Sequence, residues 1–250
     1  QHEDGHSHIL SSVIPNCISY DPTFGYELAV IIHDGLRRMV GEQEDVYYYI
    51  TVMNENYAHP GLDDAAKLDA NVQQGILKGM YLFKSGAKKK QRVQLLGSGT
   101  ILREVIAAAE LLEKDWDVGA DVWSCTSFNE LRREGLDVDR RNLLHPAAAP
   151  VKNHVEQCLE KQQGPVIAAT DYVKTFAEQI RPFLPKGRTY RVLGTDGFGR
   201  SDTREKLRHH FEVNRHWVCV AALKALADDG EVKPAVVGQA LAKYGLNPDK

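Results

Sequence analysis

Between residues 92 and 128 the chain switches between two hydrophobic rhythms. Residues 93–96 form a short continuous apolar run, closed by the tight turn Gly97-Ser98-Gly99. Ile101, Leu102, Val105, Ile106, Ala109 and Leu112 then fall at the spacing of one buried helical face. Residues 117–119 stop that helix, and residues 120–125 supply a second strand. Strand, helix and strand at these lengths predict a βαβ unit with parallel strands and a right-handed crossover. The alternation continues with a strand over 165–170, a helix over 172–183 and a strand over 190–194. Two terminal helices are predicted over 215–244, split by Asp228-Asp229-Gly230, with Pro234 early in the second. This pattern predicts an α/β fold: an open, mostly parallel sheet over residues 92–195 with helices on both faces.

Upstream the rhythm is less regular. Residues 1–12 read as a polar loop, and 13–18 as an edge or irregular strand carrying Pro15. Asp21 and Pro22 read as the N-cap and first position of a helix running to about residue 39, burying Leu28, Ile31, Ile32 and Leu36. Residues 46–53, VYYYITVM, read as a strand. Residues 54–67 are loop-like, with Pro60-Gly61 at a turn, and a helix over 70–83 leads into a basic loop. The first strand–helix–strand is too small to bury a core alone. Residues 1–55 therefore read as the end of one α/β domain, 56–91 as a linker with a helix, and 92–250 as a complete domain.

Composition adds exclusions. The 250 residues are 43% hydrophobic and 26% charged, as in ordinary globular proteins. A formal net charge of −3 argues against a broad nucleic-acid or anionic-membrane surface. No apolar run is long enough to cross a bilayer, and the polar start has no signal-peptide pattern. Cys17, Cys125, Cys158 and Cys219 are far apart, with no CxxC, which fits reduced thiols in a cytoplasm. The chain does not begin with Met and reads as a piece of something longer.

Four features carry candidate chemistry. His2-Glu3-Asp4-Gly5-His6 matches H-E-x-x-H, which binds zinc when both imidazoles share one helical face. Asp4 and Gly5 are weak helix formers and no helical apolar pattern surrounds them, so no zinc and no other metal is expected there. A polar loop is the plain reading. An active-site loop is the other, since His2, His6 and His8 can move protons near neutral pH. Gly97-Ser98-Gly99 falls short of a dinucleotide fingerprint: Leu102 replaces the third glycine, and the next strand ends Ser124-Cys125-Thr126 without an acid. It reads as a tight turn, at a helix start that can still hold an anion. In residues 194–211, Asp196, Arg200 and Asp202 lie past the carboxyl end of a strand, where open α/β sheets bind ligands. Gly197 and Gly199 allow an unusual loop shape, and Ser201 or Asp202 is predicted to cap a helix over 203–210. A structural loop of ion pairs is the plainer reading, with His209 and His210 on a solvated or interface face. Lys88-Lys89-Lys90 with Arg92, lacking interleaved aromatics, reads as a solvated loop.

The strings QHEDGHSH, IPNCISYDPTFGYELAVIIHDGL, YYYITVMNENYAHPG, LLGSGTILREV and VLGTDGFGRSDTREKLRHHFEV together cover essentially the whole chain. They resemble the carboxyl-terminal third of the bacterial homodimeric pyruvate dehydrogenase family, the decarboxylating component of the pyruvate dehydrogenase complex. The resemblance implies the end of a pyrimidine-binding domain followed by a transketolase-like carboxyl-terminal domain. It also implies thiamine diphosphate and magnesium as cofactors, pyruvate as substrate and a cytoplasmic homodimer. The implied partners are the lipoyl domain and the dihydrolipoyl acyltransferase. In that family the EDGxxH segment lies beside the thiazolium. The family's active-site histidine is carried first to His2, then to His8, and third to His6, with Asp4 and Gly5 in the loop facing substrate or intermediate. Transketolases, which are similar here, carry an arginine for a sugar phosphate where this chain has Asn54. Asn54 followed by Glu55 gives no phosphate clamp, which favours a small 2-oxo acid. The family's GDG…N motif for magnesium and diphosphate is not matched by Asp4-Gly5 or by Thr195-Asp196-Gly197, and the activating glutamate is expected upstream of residue 1. No cofactor ligand is therefore expected beyond the His2–His8 loop, and the fragment alone is expected to be inactive. The alternatives are a non-catalytic dimerisation fragment and a transketolase-related enzyme acting on another 2-oxo substrate.

Overall fold

The computed structural model describes residues 4–60 and 69–249, so His2, Glu3 and Gly61 lie outside the described residues. Five strands form the main sheet: β3 (Tyr81–Lys84), β4 (Gln91–Gly97), β5 (Val118–Ser124), β6 (Val166–Ala169) and β7 (Tyr190–Leu193). Their order is β3-β5-β4-β6-β7. The β4–β5, β4–β6 and β6–β7 pairs are parallel, and only the edge strand β3 runs antiparallel. Val93 of β4 lies opposite Ala120 of β5, and Leu95 opposite Val122, as the βαβ reading requires.

The strands are buried on both faces, and their alternation sorts two cores. Val93 and Leu95 of β4, Val122 of β5 and Ile167 of β6 face α4 (Leu102–Trp116), α9 (Arg215–Asp228) and α10 (Ala235–Lys243). Leu96, Trp123, Val166 and Ala168 face α5 (Phe128–Leu144), α6 (His154–Leu159) and α7 (Lys174–Glu178). Helices thus cover both faces. Asp117, in the left-handed region at φ 55°, ends α4 where its stop was predicted.

Ahead of this sheet, β1 (Cys17–Tyr20), α2 (Gly25–Leu36) and β2 (Tyr47–Ile50) make a second βαβ unit with parallel strands. α3 (Ala70–Lys78) packs Ile76 against Ile18, Tyr20 and Ile31 and so joins the unit to β3 through Tyr81.

Several element predictions are corrected. Residues 7–12 are not loop but a short helix, α1 (Ser7–Ser12), nucleated by Asp4, which accepts from the Ser7 amide at 3.0 Å. Asp21 does not cap α2; that helix starts at Gly25, where the Glu27 carboxylate accepts from the amides of Thr23 and Phe24 at 2.6 and 2.9 Å. Its buried stripe is Glu27, Ile31, Asp34 and Gly35, while Ile32 and Leu36 are exposed. The helix predicted over 70–83 stops at Gly79, whose φ of 107° suits only glycine, and the chain re-enters as β3. Thr203, not Ser201 or Asp202, caps α8 (Arg204–His210). α5 is largely charged and buries only Phe128, Asn129, Leu131 and Gly135, too few to announce a helix by periodicity.

Candidate active site

β4 is flanked by β5 on one side and β6 on the other, so the chain diverges at its carboxyl end. That crevice is where open α/β sheets take their ligands. Here the chain fills it itself. The Asp21 amide donates to Thr126 O at 2.8 Å, the Gly99 amide donates to Asp21 O at 3.0 Å, and Thr23 Oγ1 donates to Gly99 O at 2.6 Å. Gly99 has φ +48°, and a Cβ there would collide with the Asp21 carboxyl group. The anion expected at the Gly97-Ser98-Gly99 turn is therefore an internal one. Burial pushes the Asp21 carboxyl up to about 7, tempered by the Thr51 and Ser98 hydroxyls and reinforced by the nearby Asp171 and Glu27 charges.

The histidine loop packs beside this plug. Gly5 is buried, and its carbonyl accepts from the Val173 amide at 2.9 Å. His6 is exposed; its carbonyl accepts from the amides of Ile9 and Leu10, both at 3.0 Å. His8 is fully buried, its ring stacked on Phe176 at 4.8 Å and meeting the edges of Tyr172 at 4.7 Å and Tyr49 at 5.4 Å. Desolvation lowers its pKa to about 4, against a smaller opposing pull from Asp4. His8 Nε2 lies 2.9 Å from Thr51 Oγ1, which lies 2.8 Å from Asp21 Oδ1.

In front of these groups opens a cleft of about 360 Å³. Asp4 comes from the loop, Thr51 and Met53 from the segment after β2, and Asp171, Tyr172 and Thr195 from the carboxyl ends of β6 and β7. Arg200, Arg204 and Arg208 supply a basic wall. Glu55 holds that wall: it lies 3.0 Å from Arg103, 2.9 Å from Arg208 and 3.7 Å from Arg204. Although desolvation opposes it, the Arg208 and Arg103 guanidiniums keep the Glu55 carboxyl below its usual range. Arg204 also donates to Asn54 Oδ1 at 2.7 Å.

Asp4 and Arg200, singled out from sequence, therefore meet at one cleft. His8 and Gly5 stand behind its wall, and His6 does not line it. Asp196 is drawn off instead to the Lys174 amide at 3.1 Å, and Asp202 lies 3.7 Å from Lys206. His209 and Trp217 lie with ring centroids 6.5 Å apart. Thr51, Asp171, Tyr172 and the arginines of α8 escape a sequence reading because their convergence is tertiary. The one usable signal was the position of Asp171 and Thr195 just past two predicted strands.

The described residues do not fit a clamp for a metal-bound diphosphate. Among them no group of three or more His, Cys, Asp or Glu is arranged to hold a metal ion. The arginines nearest Asn54 are already engaged by Glu55 and Asn54. What the arrangement offers is an anion-tolerant cleft, a short capped helix at its rim and buried proton-bearing groups behind it.

Residues 79–214 match the family model described as the transketolase-like TK C-terminal domain. The chain belongs to this transketolase-like family. Residues 1–60 match a second model, the pyruvate dehydrogenase E1 component middle domain. Over its whole length the chain is similar to curated proteins named pyruvate dehydrogenase E1 component. It is 64% identical to the one from Cupriavidus necator over 252 residues, 60% to that from Pseudomonas aeruginosa and 55% to that from Escherichia coli, the last two over 251 residues. It spans 100% of itself but only 27–28% of those relatives. Among solved structures, a transketolase variant from Pichia stipitis aligns with a TM-score of 0.59 at 15% identity, covering 91% of this chain and 28% of that one. The Campylobacter jejuni transketolase aligns with a TM-score of 0.54 at 16% identity, covering 89% and 29%. These structural likenesses establish the transketolase-like fold, with its parallel sheet and two helical layers. No helix among the described residues is long and apolar enough to cross a membrane.

Proposed function

We propose that this chain is part of an enzyme that decarboxylates pyruvate with thiamine diphosphate and magnesium and passes the acetyl group to the lipoyl group of an acyltransferase partner. The reading rests above all on the 64% identity, along the full chain, to a protein named pyruvate dehydrogenase E1 component. On this reading residues 1–55 end the pyrimidine-binding domain, 56–91 link, and 92–250 form the transketolase-like domain of a cytoplasmic homodimer. The ligands for magnesium and diphosphate are expected in the rest of the enzyme, since the chain spans only 27–28% of its relatives.

This chain's own contribution is the cleft wall and its rim. His2, ranked first by the resemblance, is the first candidate to touch substrate; Asp4 of the same segment lines the cleft. An imidazole there can donate to an oxyanion developing on the substrate. His8, fully buried, acts by position rather than by contact. Asn54 and Glu55 disfavour a phosphorylated sugar, because neither supplies a guanidinium at that position and Glu55 offsets part of the charge of Arg103 and Arg208. The full-length protein, given added thiamine diphosphate and an electron-accepting dye, is expected to reduce the dye with pyruvate. Reduction with a phosphorylated ketose and none with pyruvate would replace this reading with a transketolase-like one.

A further inference from the structure

Behind the cleft, three polar side chains from three separate segments form one chain of hydrogen bonds. His8 comes from α1, Thr51 follows β2, and Asp21 follows β1. Thr51 Oγ1 lies 2.9 Å from His8 Nε2 and 2.8 Å from Asp21 Oδ1. His8 Nδ1 is buried with no partner in hydrogen-bonding geometry, and the buried Asp21 carboxyl group has the Ser98 hydroxyl beside it.

The proton positions follow from counting donors. A threonine hydroxyl has one hydrogen to give. Its possible acceptors are Asp21 Oδ1 at 2.8 Å, His8 Nε2 at 2.9 Å, the Tyr172 hydroxyl and Tyr20 O at 3.4 Å, and the shortest contact, to a carboxylate oxygen, takes it. Thr51 can then meet His8 only as an acceptor, so Nε2 must carry the hydrogen. The other nitrogen agrees. A hydrogen on Nδ1 would be an orphaned buried donor, whereas a bare acceptor is better tolerated. This holds for the ionised Asp21 carboxylate, which can only accept from Thr51.

We propose that Asp21 is a positioning residue for the histidine loop: through Thr51 it locks His8 as the Nε2–H tautomer and so anchors α1 and the Asp4 rim of the cleft. The anchoring is geometric. His8 is held by Thr51 at its Nε2 edge and by the rings of Phe176 and Tyr172 on its sides. Tyr172 also lines the cleft, as does Asp171 beside it. The Asp21 plug thus ties the loop to the same Gly97-Ser98-Gly99 turn that fills the sheet's crevice. The consequence for turnover rests on the proposed function, but the tautomer itself does not.

The test is nitrogen NMR of the 250-residue chain labelled with 15N-histidine, with His8 assigned by its loss in His8→Gln. The wild type is expected to show one His8 tautomer, Nε2–H, at about pH 8.5, where Asp21 is ionised. Thr51→Ser, which keeps the hydroxyl, should preserve it. Thr51→Val should lower the Nε2–H to Nδ1–H ratio by about tenfold, the worth of one neutral hydrogen bond. Asp21→Leu should shift the ratio the same way, because Thr51 is freed to donate to His8. A wild-type Nδ1–H signal, or a ratio unmoved in Thr51→Val, overturns the proposal without touching the assignment of function. Should Asp21→Leu fail to fold, the serine and valine pair at Thr51 decides alone.

Discussion

Asp21 shows how far one residue can depart from its sequence signature. Asp-Pro reads as a helix start, yet the aspartate is fully enclosed and the helix begins four residues later, at Gly25. Sequence spacing reports local hydrogen-bond options, and here two distant segments override them, with backbone bonds from Asp21 to Thr126 and from Gly99 to Asp21 and a close glycine. The burial has a pH signature. The folded-state pKa of Asp21, about 7, lies above its ordinary 3.8, so folding takes up a proton between these values. The stability contributed by that proton is full below about 4 and is lost as pH rises through 7. His8, lowered from 6.5 to about 4, acts oppositely, costing stability as pH falls below 6.5. Comparing variants cancels the histidine. Asp21→Asn is expected to gain about 2–3 kcal/mol on the wild type between about pH 5 and about pH 8. Urea unfolding at the two pH values measures this, and equal differences at both would contradict it.

At the scale of elements, the reading was accurate wherever one hydrophobic period ran uninterrupted. β4, α4 and β5 lie within two residues of their predicted bounds, and Asp117 stops the helix as expected. It failed where tertiary pairing overrode a local pattern. β3 continues the apolar run of α3, and only Gly79 marked the break. α5 is polar because its outer face is solvated, and α1 follows a turn in which Asp4 accepts from the Ser7 amide, with His8 pinned from outside. Two substitutions probe the joints between elements. Gly99→Ala at the head of the turn into α4 must bear both a positive φ and the Asp21 carboxyl group. It is expected to cost about 2–4 kcal/mol. A double-mutant cycle with Asp21→Ala should recover at least about 1 kcal/mol of that cost; strict additivity would show that the two do not meet. Glu55→Ala leaves Arg103, Arg204 and Arg208 facing one another without their shared carboxylate. A loss of about 1–3 kcal/mol is expected, shrinking with added salt. A salt-independent loss would point to packing instead.

For the whole molecule, the fold class was legible and the site only partly so. Alternating strand and helix patterns specify a parallel sheet with two helical layers, since few other arrangements bury both faces. They do not specify which loops converge. Asp4, Thr51, Asp171 and Arg200 belong to four separate stretches, and only folding brings them to one cleft. The resemblance of the QHEDGHSH string pointed to the loop but left its histidines unranked by environment. The structure separates two of them, with His6 exposed and His8 enclosed, while His2 lies outside the described residues. The 250-residue chain alone is expected to show no pyruvate decarboxylation, because it spans only 27–28% of the relatives it matches.

The central claim is that this loop serves the decarboxylation of a 2-oxo acid, and the most direct measurement is pyruvate turnover by the full-length protein carrying His2→Ala, with His8→Ala run beside it. Loss of a positioned acid or base is expected to lower turnover about a hundredfold in His2→Ala, with cofactor affinity little changed. His8→Ala should lose less, since the buried ring acts through position. Turnover near the wild type in both variants would contradict the account.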